Sequence, residues 1–198
     1  MRRAWEVSRL EKPSYTVLRP LSDHSEVRRY NPFIIAEAML SDAETGGELK
    51  NAMNQGFKSV AGYIFGGNTK RESVAMTSPV RAERTSESVS MTSPVRSERS
   101  GNGFRVSFVM PSKYTLDTLP VPKSTNVKFR EVPSHDAAAI TFGGSMGDCA
   151  AAKEKYTQIL LGQMDVAGLK AKGEPVLCEY HPPFAPSFIR KREIVIPL

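Results

Sequence analysis

What most constrains this chain is that it matches itself. VRRYNPFIIAEA (27 to 38) and FREVPSHDAAAI (129 to 140) agree in character at an offset of 102 residues, each a polar-alternating strand, a proline turn and an apolar strand. On the same offset Val74 falls on Val176, and the two strongest helical patterns between these points coincide as well. The final strands, FRVSFVM (104 to 110) and REIVIPL (192 to 198), match at an offset of 88, so about fourteen residues have been gained in the first half alone. This reads as a tandem βαββ pseudo-repeat of α+β class, with halves at about 25–110 and 126–198 and two helices packed on a mixed sheet or distorted barrel. A doubly wound α/β fold would need more helices than the pattern supplies.

The gained length sits beside a second, shorter repeat. VAMTSPVR (74 to 81) returns fifteen positions later as VSMTSPVR (89 to 96), and only the first copy has a counterpart in the second half, VLCEYHPP at 176 to 183. The pair is expected to be a strand and its local duplication, two arms of a polar-tipped hairpin over 74–96.

The first helix is expected over about 46–65. Leu49, Ala52, Met53, Phe57, Val60, Ala61 and Ile64 recur at helical spacing, Thr45-Gly-Gly-Glu48 has the form of a capping box, and Gly66-Gly67-Asn68 is a stop. The second, over about 147–165, carries Cys149, Ala152, Tyr156, Ile159 and Leu160 on one face. PSKYTLDTLPVPKSTN between the halves is a proline-rich crossing loop inside one domain, because neither half can bury its helix face alone.

With 198 residues, 40% of them hydrophobic, the chain suits one domain, 15–198, after an N-terminal extension, 1–14. No apolar run is long enough to span a bilayer, and the basic N-terminus has no apolar core of signal-peptide type, so cytoplasm or plastid is expected. Cys149 and Cys178 belong to no metal, redox or haem-attachment pattern. The net charge of +6 comes from basic residues interleaved with acids, as in RAERTSES, which argues against nucleic acid. The one dense basic cluster is Arg190, Lys191 and Arg192.

No residue set announces a standard catalytic class. There is no serine elbow, no phosphate loop and no metal-binding histidine spacing. His24 and His135 read as loop histidines; His181, ending a strand before Pro182-Pro183, could reach a cleft rim. The first helix carries more information. Gly56 and Gly62 each cost it roughly 1 kcal/mol relative to Ala, which either tight packing on the sheet or a flat ligand across the helix would explain. Apolar neighbours with Lys58 beside them suit a planar apolar molecule bearing carboxylates.

YIFGGN with VAMTSPV, VSFVMPSKYTLDTLPVP, VKFREVPSHDAAAITFGG and EYHPPFAPSFIRKREIVI together resemble the SOUL haem-binding protein family, closest to its plant and algal members, over about residues 14 to 198. The resemblance implies a distorted eight-stranded barrel flanked by two helices. It also implies non-covalent, reversible binding of haem or a related tetrapyrrole for buffering, transport or sensing. The ligand would lie beside the first helix on Gln55, Phe57, Lys58, Ala61, Gly62 and Phe65, with Phe184 closing one side and Arg190 and Lys191 toward the propionates. His181 and Tyr63 are the candidates for the iron.

Two other classes of function stay open. An enzyme acting on tetrapyrroles would draw on His181 or Glu179 as a titratable group, and an interaction scaffold would offer the 74–96 hairpin to a protein partner. Nothing in the sequence speaks to oligomeric state.

Overall fold

A computed structural model describes residues 10–85, 103–143, 149–181 and 190–198. Nine strands form one sheet: β1 (Tyr15–Ser22), β2 (Ser25–Tyr30), β3 (Phe33–Ser41), β4 (Val80–Thr85), β5 (Gly103–Val109), β6 (Val127–Val132), β7 (His135–Phe142), β8 (Val176–Glu179) and β9 (Arg192–Pro197). Three helices accompany them: α1 (Asp42–Thr45), α2 (Leu49–Ile64) and α3 (Cys149–Val166). The strand order is β1-β2-β7-β9-β8-β4-β5-β3-β6, and every pairing is antiparallel. The α+β class expected from the sequence is thus found, as a curled half-barrel sheet of nine strands rather than eight. The additional strand, β1, is an edge strand exposed along almost its whole length, whose Pro20 and lack of alternation hide it from a pattern search.

Exchanging β2–β5 with β6–β9 reverses the order of the eight strands after β1 and otherwise leaves it unchanged. In that order β2 pairs with β7, and β6 with β3.

Alternation along the strands separates two faces. Ala36, Ala38, Leu40, Val106, Ile140 and Ile194 point one way, into a core closed by Leu49, Ala52, Met53 and Val60 of α2 and Leu160 and Met164 of α3. Tyr30, Ala137, Ala139, Cys178, Tyr180 and Val195 point the other way, into a cluster to which no helix among the described residues contributes. That helix-free face also carries charge: Glu37 on β3 meets Arg105 of β5 and Arg130 of β6 at 3.3 and 3.1 Å.

The helix boundary differs from expectation in one respect. The capping box belongs to α1, where Ser41 accepts from the Glu44 amide and the Glu44 carboxylate accepts from the Ser41 amide; α2 then starts after Glu48 with no side-chain cap. Thr45 is the last residue of α1, three positions before the Glu48 N-cap of α2, and its hydroxyl donates to the Ser41 carbonyl at 3.0 Å. The expected stop holds. Gly66 takes φ 103°, and the Gly67 amide returns to the Gly62 carbonyl at 2.9 Å so closely that a Cβ on Gly67 would lie 2.5 Å from that oxygen.

The first octapeptide is strand only from Val80 onward; β4 pairs with β5 and β8, and the second octapeptide, 89–96, lies outside the described residues. Residues of the expected N-terminal extension make contacts with the sheet region: the Glu11 carbonyl accepts from the Ser78 amide and its carboxylate from the Ser112 amide. No helix among the described residues is long and apolar enough to cross a membrane.

Candidate functional site

α2 presents two faces of different chemistry. Ala52, Met53, Gly56, Val60, Tyr63 and Ile64 face the sheet, while Gln55, Lys58, Gly62 and Phe65 are exposed. The two glycines, alike in sequence, have different reasons. A Cβ on Gly56 would lie 2.3 Å from the Val106 Cβ, so this glycine is there because β5 packs against the helix backbone. A Cβ on Gly62 would meet nothing within 4 Å. Tight packing thus accounts for Gly56 and leaves Gly62 unexplained by the fold.

Of the groove residues taken from the sequence, Lys58, Gly62 and Phe65 follow one another at i, i+4 and i+7 along the exposed stripe. Phe65 is 68% exposed, a large apolar side chain left in water at the end of the helix. Lys58 makes no ion pair among the described residues. Gln55 is tied back to α1, donating to the Glu44 carbonyl at 2.9 Å. Phe57 and Ala61 turn inward instead: Phe57 packs its ring against Phe108 at 5.4 Å, and Ala61 is buried. The apolar part of the outer face therefore rests on Phe65 and the bare backbone at Gly62.

Tyr63 points to the sheet, edge-on to Phe129 at 5.2 Å, and its hydroxyl is buried without a hydrogen-bond partner among the described residues. Burial, with Tyr114 nearby, pushes its phenol up to about 12, so it stays protonated. His181 follows β8 and accepts the Lys191 amide on Nδ1 at 3.1 Å. Burial lowers its pKa below the ordinary imidazole value, so the ring is neutral at pH 7. Among the described residues no three His, Cys, Asp or Glu side chains gather as a metal site.

The C-terminal basic cluster is divided by the sheet. Lys191 reaches the helix-free face, with Nζ 3.0 Å from the Glu193 carboxylate and 4.9 Å from the Tyr180 ring centre. Arg192 lies on the alternate side and pairs with Glu179 at 2.7 Å, and Arg190 is buried. Phe184 lies outside the described residues.

The sequence reading passed over the interior of the helix-free face. Arg28 donates to both Glu193 oxygens at 2.9 and 3.1 Å and to the Tyr30 hydroxyl at 3.1 Å, and Tyr180 donates to Glu193 at 2.6 Å. His135, expected in a loop, opens β7 and stacks on Tyr30 at 5.4 Å and 17°. The signal available was alternation: Arg28 and Tyr30 share one side of β2, and Glu193 and Val195 one side of β9.

A family model described as SOUL heme-binding protein matches residues 10–197. No curated protein matches the chain by sequence. Among solved structures, an uncharacterized conserved protein from Listeria innocua is similar at 14% identity, with 91% of this chain and 93% of that one covered and a TM-score of 0.58. The EcmrR C-terminal domain is similar at 9% identity, covering 92% of this chain and 96% of that one, also with a TM-score of 0.58. In the EcmrR–DNA complex the match covers 87% of this chain but 56% of the EcmrR chain, at 8% identity and a TM-score of 0.56; the chain thus spans little more than half of that relative. At these identities the likeness is one of fold alone.

Proposed function

We propose, for a chain that belongs to the SOUL haem-binding protein family, that a haem or related tetrapyrrole binds reversibly on the outer face of α2. The single observation that carries this placement is the stripe Lys58, Gly62, Phe65: a cation without a carboxylate partner among the described residues, a bare backbone and an exposed aromatic ring, one helical turn apart. A planar macrocycle needs close approach over an area, which the missing Cβ at Gly62 permits. Phe65 offers apolar contact to the ring edge, and Lys58 offers one charge-assisted hydrogen bond to a propionate. The bound group would bring its own iron and with it the redox chemistry. The chain's part is to hold the plane and orient the carboxylates. Binding of this shallow, non-covalent kind suits buffering or transport rather than permanent retention. The exchange symmetry of the strand order supports reading the chain as a duplicated βαββ unit in which only the first helix took on this role.

Titration of the purified protein with haemin tests the reading: a Soret change saturating near one equivalent is expected. A linear, unsaturated response would sink it.

A further inference from the structure

α3 buries one side and leaves the other bare. Leu160 and Met164 enter the core, Tyr156 stacks on Phe142 at 4.0 Å and 13°, and Gln163 accepts from the Ser25 hydroxyl at 2.7 Å. Away from that side, Lys155, Ile159, Gly162 and Val166 follow one another at i, i+4, i+7 and i+11, and all four are exposed. Ile159 is 39% exposed and Val166 92%, so two β-branched apolar side chains stand in water on a single line.

Gly162 lies on the same line. A Cβ there would meet nothing within 4 Å, so the fold gives no reason for a residue that weakens a helix interior relative to alanine. Glycine on the outside of a helix admits close approach from another chain. The register says which chain. Two copies of α3, laid antiparallel about a two-fold axis between Leu160 and Leu161, set Ile159 of one opposite Gly162 of the other, and Lys155 opposite Val166. At a rise of about 1.5 Å per residue, the first pair of contacts lies about 2 Å either side of the axis and the second about 8 Å. Each Ile159 then fills the space that the missing Cβ leaves, and each Lys155 stem lies along Val166 with its ammonium at the adjacent Asp165.

The charges fit the same register. Neither Lys155 nor Asp165 makes an ion pair among the described residues, and the Lys155 ammonium stands 5.6 Å from the centre of its own neighbour's ring, Tyr156. Glu154 is engaged within the helix, accepting from the Gln158 amide at 2.9 Å. A flat dianionic ring would meet Asp165 at this face and would find no aromatic side chain on the stripe.

We propose that the outer face of α3 is an interaction surface for a second copy of this chain, forming a two-fold dimer in which Ile159 seats on Gly162 and Lys155 pairs with Asp165. The dimer goes beyond the α2 reading and needs no tetrapyrrole. One helix pair buries less than a standard interface of about 1,600 Å², so association is weak and reversible, with a Kd on the order of 10–100 μM.

Sedimentation velocity of the full chain with a thiol reductant, from about 5 to 500 μM, should show the weight-average species moving from monomer toward dimer. Gly162→Gln puts a side chain where Ile159 seats and should weaken dimerisation about ten-fold or more. The same variant should melt at a higher temperature, because glutamine is the better helix former. Lys155→Glu and Asp165→Lys should each weaken dimerisation about three- to ten-fold, and combining them should recover most of the loss, because the two charges have then changed places. A monomer at every concentration, wild-type association in Gly162→Gln, or a double variant no better than the singles would each overturn the proposal. So would a second equivalent of bound haemin that Gly162→Gln abolishes, which would give the face to a flat ligand instead.

Discussion

Arg28 of β2 and Glu193 of β9 meet across the intervening strand β7, two parallel hydrogen bonds of 2.9 and 3.1 Å joining residues 165 positions apart, with both side chains buried. Burial opposes the charge on Glu193, but the hydrogen bonds and charge of Arg28, with Tyr180 and Lys191, outweigh it and hold the carboxyl down to about 2. A carboxyl held below its unfolded value contributes stability above about pH 4.5 and loses it as pH falls toward 2. The acid limb of the pH–stability curve should therefore fall over that interval. Glu193→Gln, which leaves Arg28 buried without its countercharge, should cost roughly 3–5 kcal/mol at pH 7 and progressively less toward pH 2. Urea denaturation across pH checks both; a pH-independent difference between the two proteins would rule the account out.

The two glycines of α2 should answer oppositely to the same change. Gly56→Ala drives a methyl into Val106 and should lower stability by roughly 1–3 kcal/mol. Gly62→Ala adds a methyl in open space on an exposed helix and should raise stability by about 0.5–1 kcal/mol. The stabilised variant should nonetheless bind haemin more weakly, because the methyl lifts the macrocycle off the backbone. Thermal melts beside haemin titrations give both answers.

Removing the contacts at either end of the stripe should affect binding without affecting the fold. Lys58→Ala and Phe65→Ser, both at exposed positions, should each lower haemin affinity about three- to ten-fold and change the melting temperature by less than about 2 °C. Equal affinity in all three proteins would move the tetrapyrrole elsewhere.

Cys178 should resist alkylation in the native protein. Its thiol is buried and raised to about 12, so thiolate is scarce and access is poor. Iodoacetamide labelling at pH 8, read at the Cys178 peptide by mass spectrometry, should be slow until urea unfolds the chain. Rapid native labelling would contradict the burial.

The sequence disclosed the strands and helices wherever hydrophobic alternation was strong, and missed them where it was not. β7 and β9, with HDAAAITF and REIVIP, were plain because both are buried through most of their length. β1 was not, because an exposed edge strand is under little demand to alternate. The site divides in the same way. Lys58 and Gly62 could be placed on a helix by counting, but nothing local separates Gly56, excluded from function by Val106, from Gly62. That distinction depends on a strand 50 residues away. The basic run at 190–192 looked like one cluster, yet alternation sends Lys191 to Glu193 and Arg192 to Glu179, on opposite faces. Arg28 and Glu193 are paired only by the sheet order, which no spacing along the chain reveals.

The pairing of β2 with β7 and of β6 with β3 carries a kinetic cost. Its seams, Val27 against Ala138 and Ala36 against Phe129, join residues about a hundred positions apart, and neither can form until both partners have been made. A ribosome that has released only the first half has made β3, β4 and β5 without the partners of β3 and β4, leaving two open edges on which a second nascent chain could pair. Folding should therefore be slow, on the order of milliseconds to seconds, and all-or-none, with the most vulnerable interval falling during synthesis rather than in the finished molecule.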